Sequence, residues 1–143
     1  MEPGPGTPLW LEEAAMGQAK SLQAYARAWE QSDESKIRSS IEECWTETST
    51  YVNPFTDAVR GVDRLVELIL DYPVLFPDPV VQPSGEPQSR SECTHYPWRL
   101  TSTARIRVLG RDYGHALEGT DLIEFDDQNK IRTVVSFFGK APV

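Results

Sequence analysis

The stretch Ala116-Leu117-Glu118-Gly119-Thr120-Asp121-Leu122-Ile123-Glu124-Phe125 decides the fold. Strand side chains point to alternate faces. One face of this stretch carries Leu117, Gly119, Asp121, Ile123 and Phe125; the other carries Ala116, Glu118, Thr120, Leu122 and Glu124. The first set is the core-facing one, so Asp121 stands among groups that cannot solvate a charge. A carboxyl group there must find donors or keep its proton. One that keeps its proton can donate a hydrogen bond to an oxyanion, which makes Asp121 a candidate functional residue. The competing reading is a structural carboxylate, bonded to backbone or to Tyr25.

Working outward, Cys93 to Val108 reads as a preceding strand, with Gly110-Arg111-Asp112 as its turn. Tyr113 to Phe125 is the second strand. Asp126-Asp127-Gln128-Asn129 is a turn by composition, and Lys130 to Gly139 is the third strand. Short turns between consecutive strands imply antiparallel pairing. Upstream, Ala19, Leu22, Tyr25, Ala26 and Trp29 recur at helical spacing and define a helix from about Pro8 to Trp29. Ser32 or Asp33 can cap a second helix whose inner face is Ile37, Ile41, Cys44 and Trp45. Thr46 to Val52 reads as a short strand ended by Asn53-Pro54. Gly61-Val62-Asp63 opens a third helix, closed by Tyr72-Pro73. Val74 to Val81, broken by Pro77 and Pro79, is an edge strand or loop, and Gln82 to Glu92 an exposed loop. Helices first and a meander afterwards is an α+β pattern.

The chain has 143 residues, 39% hydrophobic and 25% charged, which suits one globular domain. Residues 1–8 read as a flexible leader and 9–143 as the domain. A net charge of -8, with no cluster of Lys and Arg, argues against nucleic acid and against an anionic membrane surface. No stretch is long and apolar enough to span a bilayer. Cys44 and Cys93 lie far apart without a CxxC spacing and read as reduced thiols of a cytoplasmic protein. Two histidines and two cysteines at unrelated spacings give no metal site, and no motif implies a cofactor.

Tyr25 lies on an apolar helix face, where core packing is the default and a partnership with Asp121 the alternative. Asn53 is either an active-site amide or a strand terminator before Pro54. Tyr96, Trp98 and Leu100 form the inward face of their strand, leaving His95 on the other face. His95 is the substitute base only if the strand is bulged near Pro97. Trp29, Trp45, Phe55, Trp98, Val134 and Phe138 are core residues by default and the wall of a ligand pocket if the interior is open. An aromatic wall suits a flat, apolar ligand such as a polyketide, steroid-like or terpenoid ring.

The run from Gly119 to Asp126, then Lys130-Ile131 and Phe137-Phe138-Gly139, resembles the C-terminal signature of the NTF2-like superfamily. Tyr51-Val52-Asn53-Pro54 followed by Gly61-Val62-Asp63 is similar to the family's strand-loop-helix segment. In particular the chain resembles SnoaL-like polyketide cyclases and ketosteroid isomerases over nearly all of its length after Leu9. The resemblance implies a cone of three N-terminal helices on a curved, mostly antiparallel sheet enclosing a pocket, and a homodimer. It also implies that Tyr25 and a protonated Asp121 form an oxyanion hole. A neutral, hydrogen-bond-donating carboxylic acid is familiar from ketosteroid isomerase itself. Where those isomerases carry their general-base Asp, this sequence has Asn53, and a neutral amide cannot take up a proton. Three functions stay open: an isomerase or cyclase working through an enolate, a non-catalytic module binding a small apolar ligand, and a protein-interaction domain.

Overall fold

The computed structural model describes residues 9–54, 56–90, 93–108 and 110–138. The expected leader and Phe55 lie outside the described residues. Helix α1 spans Leu9–Trp29, and its Ala24, Tyr25 and Ala28 are buried. Helix α2, Glu34–Cys44, is capped by Asp33, whose side chain accepts from the Lys36 amide and satisfies one of the orphan donors of the first turn. Its buried stripe includes Ile37, Ile41 and Cys44, as the spacing predicts, whereas Trp45, expected on the same helix face, is the first residue of the following strand. The chain passes straight into strand β1, Trp45–Val52, and then β2, Val59–Arg60. Gly61 turns it into helix α3, Val62–Leu75, at φ 88, a conformation open to glycine and strained for other residues. Strands β3, Val80–Pro83, β4, Gln88–Arg90, and β5, Cys93–Thr101, follow. A small hairpin pairs β6, Arg107–Val108, with β7, Arg111–Asp112. Strands β8, Ala116–Phe125, and β9, Ile131–Phe138, complete the chain.

Among the described residues the main sheet has the order β2-β1-β9-β8-β5-β3, with β4 also on β5. Its pairings are antiparallel except β1 with β9, which is parallel. The three helices and the inner face of this sheet form the α+β cone that the sequence implied. The alternation of β8 is as read: Leu117, Gly119, Asp121 and Ile123 all face inward and are buried.

Three local expectations change. Helix α3 does not stop at Tyr72-Pro73 but runs to Leu75. A proline so near the helix end forfeits one backbone hydrogen bond and little else. The single strand expected over Cys93 to Val108 breaks after Thr101, because Ser102 Oγ and the Thr103 amide both donate to the Pro77 carbonyl, at 2.7 and 3.1 Å. The expected loop over Gln82 to Glu92 contains the end of β3 and all of β4. Both are short edge strands, and they explain how Pro97 sits within β5. A proline is costly inside a sheet because it cannot donate to the ladder. Here β3 ends with Pro83 opposite Trp98, and β4 starts with Gln88 opposite His95. The missing donor of Pro97 falls in the gap between them, and its carbonyl accepts from Ser84.

Candidate functional site

Asp121 lies mid-strand in β8, 5% exposed. Its direct cross-strand partners are Tyr96 on β5 and Ser136 on β9, so sheet geometry puts all three side chains on one face. Trp98 shares that face and stands opposite Gly119. A Cβ at residue 119 would come within 2.1 Å of the Trp98 ring and 2.5 Å of the Phe137 carbonyl oxygen. Glycine is therefore what lets the indole lie across β8. From there Trp98 Nε1 donates to Asp121 Oδ1 at 2.8 Å, with Phe138 edge-on against the indole at 5.8 Å. Helix α1 brings Tyr25, 1% exposed and stacked on Trp45 at 6.2 Å. Its hydroxyl donates to Asp121 Oδ2 at 3.4 Å, a long and weak hydrogen bond. Ser136 also hydrogen-bonds Asp121. The Tyr51 hydroxyl bonds the side chains of Ser136 and Asn53, which extends the polar chain to the end of β1.

Burial pushes the Asp121 carboxyl up from 3.8 to about 6, against the opposing pull of its hydrogen bonds from Ser136, Trp98 and Tyr25. At that value the group is mainly ionised at neutral pH, the state in which it can itself take up a proton. Its donors suit an acceptor: two of them are an indole N–H and a phenol O–H aimed at separate oxygens. Burial, and then the charge of Asp121, lift Tyr25 and Tyr51 well above the usual phenol value. The same causes raise Tyr72 and hold Tyr96 at about 12. Those phenols stay neutral, so Asp121 alone exchanges protons near pH 7 among the residues of this site.

The site surrounds a cavity of about 30 Å³, room for one or two waters. Tyr25, Trp29, Tyr51, Tyr72, Tyr96 and Trp98 give it an aromatic wall, with Asp121 and Ser136 as its polar groups. Trp29 meets Tyr72 edge-on at 4.9 Å and Tyr51 at 5.8 Å. The Trp29 Nε1 atom is buried and makes no hydrogen bond of normal geometry, though it lies close enough to Tyr25 to favour the ionised phenol. Two surface clefts flank the cavity. One, of about 420 Å³, shares Trp29, Tyr72 and Val81 with it, and the other, of about 430 Å³, shares Ala26 and Tyr96. Sites for drug-sized ligands run to roughly 300–1,000 Å³. A steroid- or polyketide-sized ring therefore does not fit the cavity as it stands.

Of the residues expected at the site, Asp121, Tyr25, Trp29 and Trp98 meet at the cavity. Asn53 reaches Asp121 only through Tyr51 and Ser136, and its own Oδ1 accepts from the Thr56 amide at 2.9 Å. His95 stays apart: it is paired with Leu122 on the outer face, and β5 keeps an unbroken register with β8 through Pro97. The bulge that could have turned it inward is not formed. Trp45, Val134 and Phe138 are packing residues behind the wall; Trp45 Nε1 is held by the Gly61 carbonyl at 3.1 Å. Phe55 lies outside the described residues. Sequence reasoning did not single out Tyr51, Tyr72 and Val81 as wall residues, whereas Ser136, on the strand face it marked with Val134 and Phe138, does line the cavity. Strand alternation from Thr46 to Val52 could have marked Tyr51, and the helical stripe Leu65, Ile69, Tyr72 could have marked Tyr72. Among the described residues no cluster of three or more His, Cys, Asp or Glu can hold a metal ion, and no helix is long and apolar enough to cross a membrane.

A cone of this kind is shared with solved structures. A SnoaL-like family protein of Agrobacterium tumefaciens, proposed to be an isomerase, is 25% identical, with a TM-score of 0.70 over 87% of this chain and 99% of that one. A protein of Jannaschia sp. CCS1, proposed to be a SnoaL-like polyketide cyclase, is 13% identical, with a TM-score of 0.67 over 96% and 90%. A protein of Catenulispora acidiphila with a ketosteroid isomerase-like fold, solved in complex with trimethylamine, is 11% identical, with a TM-score of 0.63 over 84% and 85%. The chain is an NTF2-like superfamily protein, with SnoaL-like and ketosteroid isomerase-like proteins as its structural neighbours. No family model and no curated protein matches its sequence.

Proposed function

We propose that the chain takes a small, largely apolar molecule into the Asp121 cavity and exchanges a proton with it through Asp121, as a SnoaL-like acid/base enzyme. One observation carries this reading: a carboxylate fixed by three donors inside an aromatic wall, with a pKa of about 6. A general base works best with a pKa near the working pH. In the reaction Asp121 takes a proton from a carbon activated by a neighbouring electron-withdrawing group and returns it at another carbon, so that composition is unchanged. The indole of Trp98 and the hydroxyl of Tyr25 keep the carboxylate oriented. The absence of a second base is no obstacle, because one group can both remove and return the proton.

The test is deuterium incorporation into small ketones such as butanone in D2O, followed by NMR. Wild type should accelerate exchange, with the rate rising through about pH 6 as Asp121 ionises, and Asp121→Asn should not. Equal exchange in both proteins would sink the reading. Exchange in neither, with ketone bound to both, would favour the second reading, a non-catalytic small-molecule module. That reading is supported by Asn53 and by the outward placement of His95, which leave the cavity wall with one proton acceptor.

A further inference from the structure

Among the described residues Asp121 has no counter-charge. Its hydrogen-bonding partners Trp98, Tyr25 and Ser136 are all neutral, and no Lys, Arg or His among the described residues lines the cavity. Burying a carboxylate without a cation is costly, and hydrogen bonds from neutral groups offset only part of that cost. The remaining wall is aromatic, and aromatic faces carry negative charge density that attracts cations and repels anions. Both flanking clefts continue the pattern. Among the described residues Glu30 is the sole charged one lining the cleft beside Trp29 and Tyr72, and Glu86 the sole one lining the cleft beside Tyr96. A positively charged group approaching by either route meets a carboxylate and no like charge.

We infer that the Asp121 cavity binds the positively charged head of a small organic ammonium compound, with Asp121 as its counter-ion and the surrounding rings as its cage. A cavity of about 30 Å³ takes a head group of one or two heavy atoms, and the rest of the molecule extends into a flanking cleft. In so small a space the cation lies within the roughly 6 Å over which ring faces attract it. A ligand that arrives as an anion would fare worse, because the Tyr25, Trp98 and Ser136 donors are already turned on the ionised Asp121. The inference deepens the proposed function and rests on its reading of the cavity as the ligand site. The proton exchange then starts from a cation. The bond to hydrogen breaks, its electron pair stays on the ligand and neutralises the positive charge, and Asp121 takes the proton.

The test is titration of the full chain with butylammonium, methylammonium, 1-butanol and butyrate, following the indole N–H signals of Trp98 and Trp29 by NMR. An ammonium ion should bind about tenfold or more tightly than 1-butanol, the scale of a desolvated cation–ring contact, and butyrate should not bind. Asp121→Asn should remove that preference. Trp29→Leu, which keeps the carboxylate, should weaken the ammonium ion more than the alcohol. If 1-butanol binds as well as either ammonium ion, the charge preference is wrong and the ligand site stands. If no probe moves either indole signal, both the inference and the ligand-site reading fall.

Discussion

Replacing Asp121 with Asn should make the protein more stable, and only above the pH at which the carboxyl of the unfolded chain ionises. The folded pKa of about 6 lies above the unfolded value of 3.8. The native state therefore holds its proton where the unfolded chain has lost it, and stability falls as pH rises from about 4 to about 6, then levels off. At about 1.4 kcal/mol for each tenfold change in proton affinity, keeping Asp121 ionised in the fold costs about 3 kcal/mol. Asn carries the same shape without the charge. Its amide oxygen can accept from Trp98, and Tyr25 or Ser136 can rotate a hydroxyl to meet its NH2 group. Denaturant unfolding of both proteins should show the variant ahead by up to about 3 kcal/mol near pH 8, with the gain vanishing near pH 4. Effects of pH on all other groups are common to both proteins and cancel in the difference. A variant no more stable than wild type near pH 8, or a gain of equal size at both pH values, would refute the account of Asp121 as a desolvated charge.

Gly119→Ala forces a methyl group into the Trp98 ring and should cost about 3 kcal/mol in unfolding experiments, the upper range for overpacking. Adding Trp98→Leu should recover part of that stability without returning the Asp121 titration to its wild-type position. Trp98→Phe removes the 2.8 Å donor and should move the Asp121 carboxyl above 6, read from its carbonyl carbon by NMR; an unchanged titration would show that the indole does not hold the charge. Burial pushes the Cys44 thiol up to about 12, whereas Cys93 is half-buried. A thiol reagent at about pH 8 should therefore modify Cys93 in the native protein and Cys44 only after unfolding. Asp33→Ala removes the cap of α2 and should cost about 1 kcal/mol, measured by the unfolding midpoint.

The fold was legible because its central strand is strongly patterned. Leu117, Asp121 and Ile123 against Glu118 and Glu124 can be satisfied only by a sheet with one dry face, and the turn residues from Asp126 to Asn129 fix the register to β9. Asp126 Oδ1 accepts from the amides of Gln128 and Lys130, and Asn129 takes φ 62, so the turn chemistry is local and readable. Asp121 was legible for the same reason. Strand β4 was not, because Gln88–Arg90 carries no apolar alternation and is a strand only by virtue of its pairing with β5. The cavity wall was half legible. Trp98 and Tyr25 sit on faces that the sequence marks, but Tyr51, Tyr72 and Val81 come from three elements that meet only in the folded chain. The protonation state of Asp121 stayed open in the sequence, because alternation reports burial and says nothing of how many donors are waiting there.

The parallel pairing of β1 with β9 has a consequence for the order of synthesis. Ser49 Oγ donates to the Ile131 carbonyl at 2.6 Å across 82 residues of chain, and β9 lies in the sheet between β1 and β8. On the ribosome α1, α2 and β1 emerge long before the strand that joins them to the rest of the sheet. Until β9 is made, Trp45 and Tyr51 have no finished sheet to pack on, and the edge of β1 lies open to other chains. The interval between the two strands is when this protein most needs a chaperone, and stalling translation between β8 and β9 should trap it in that state.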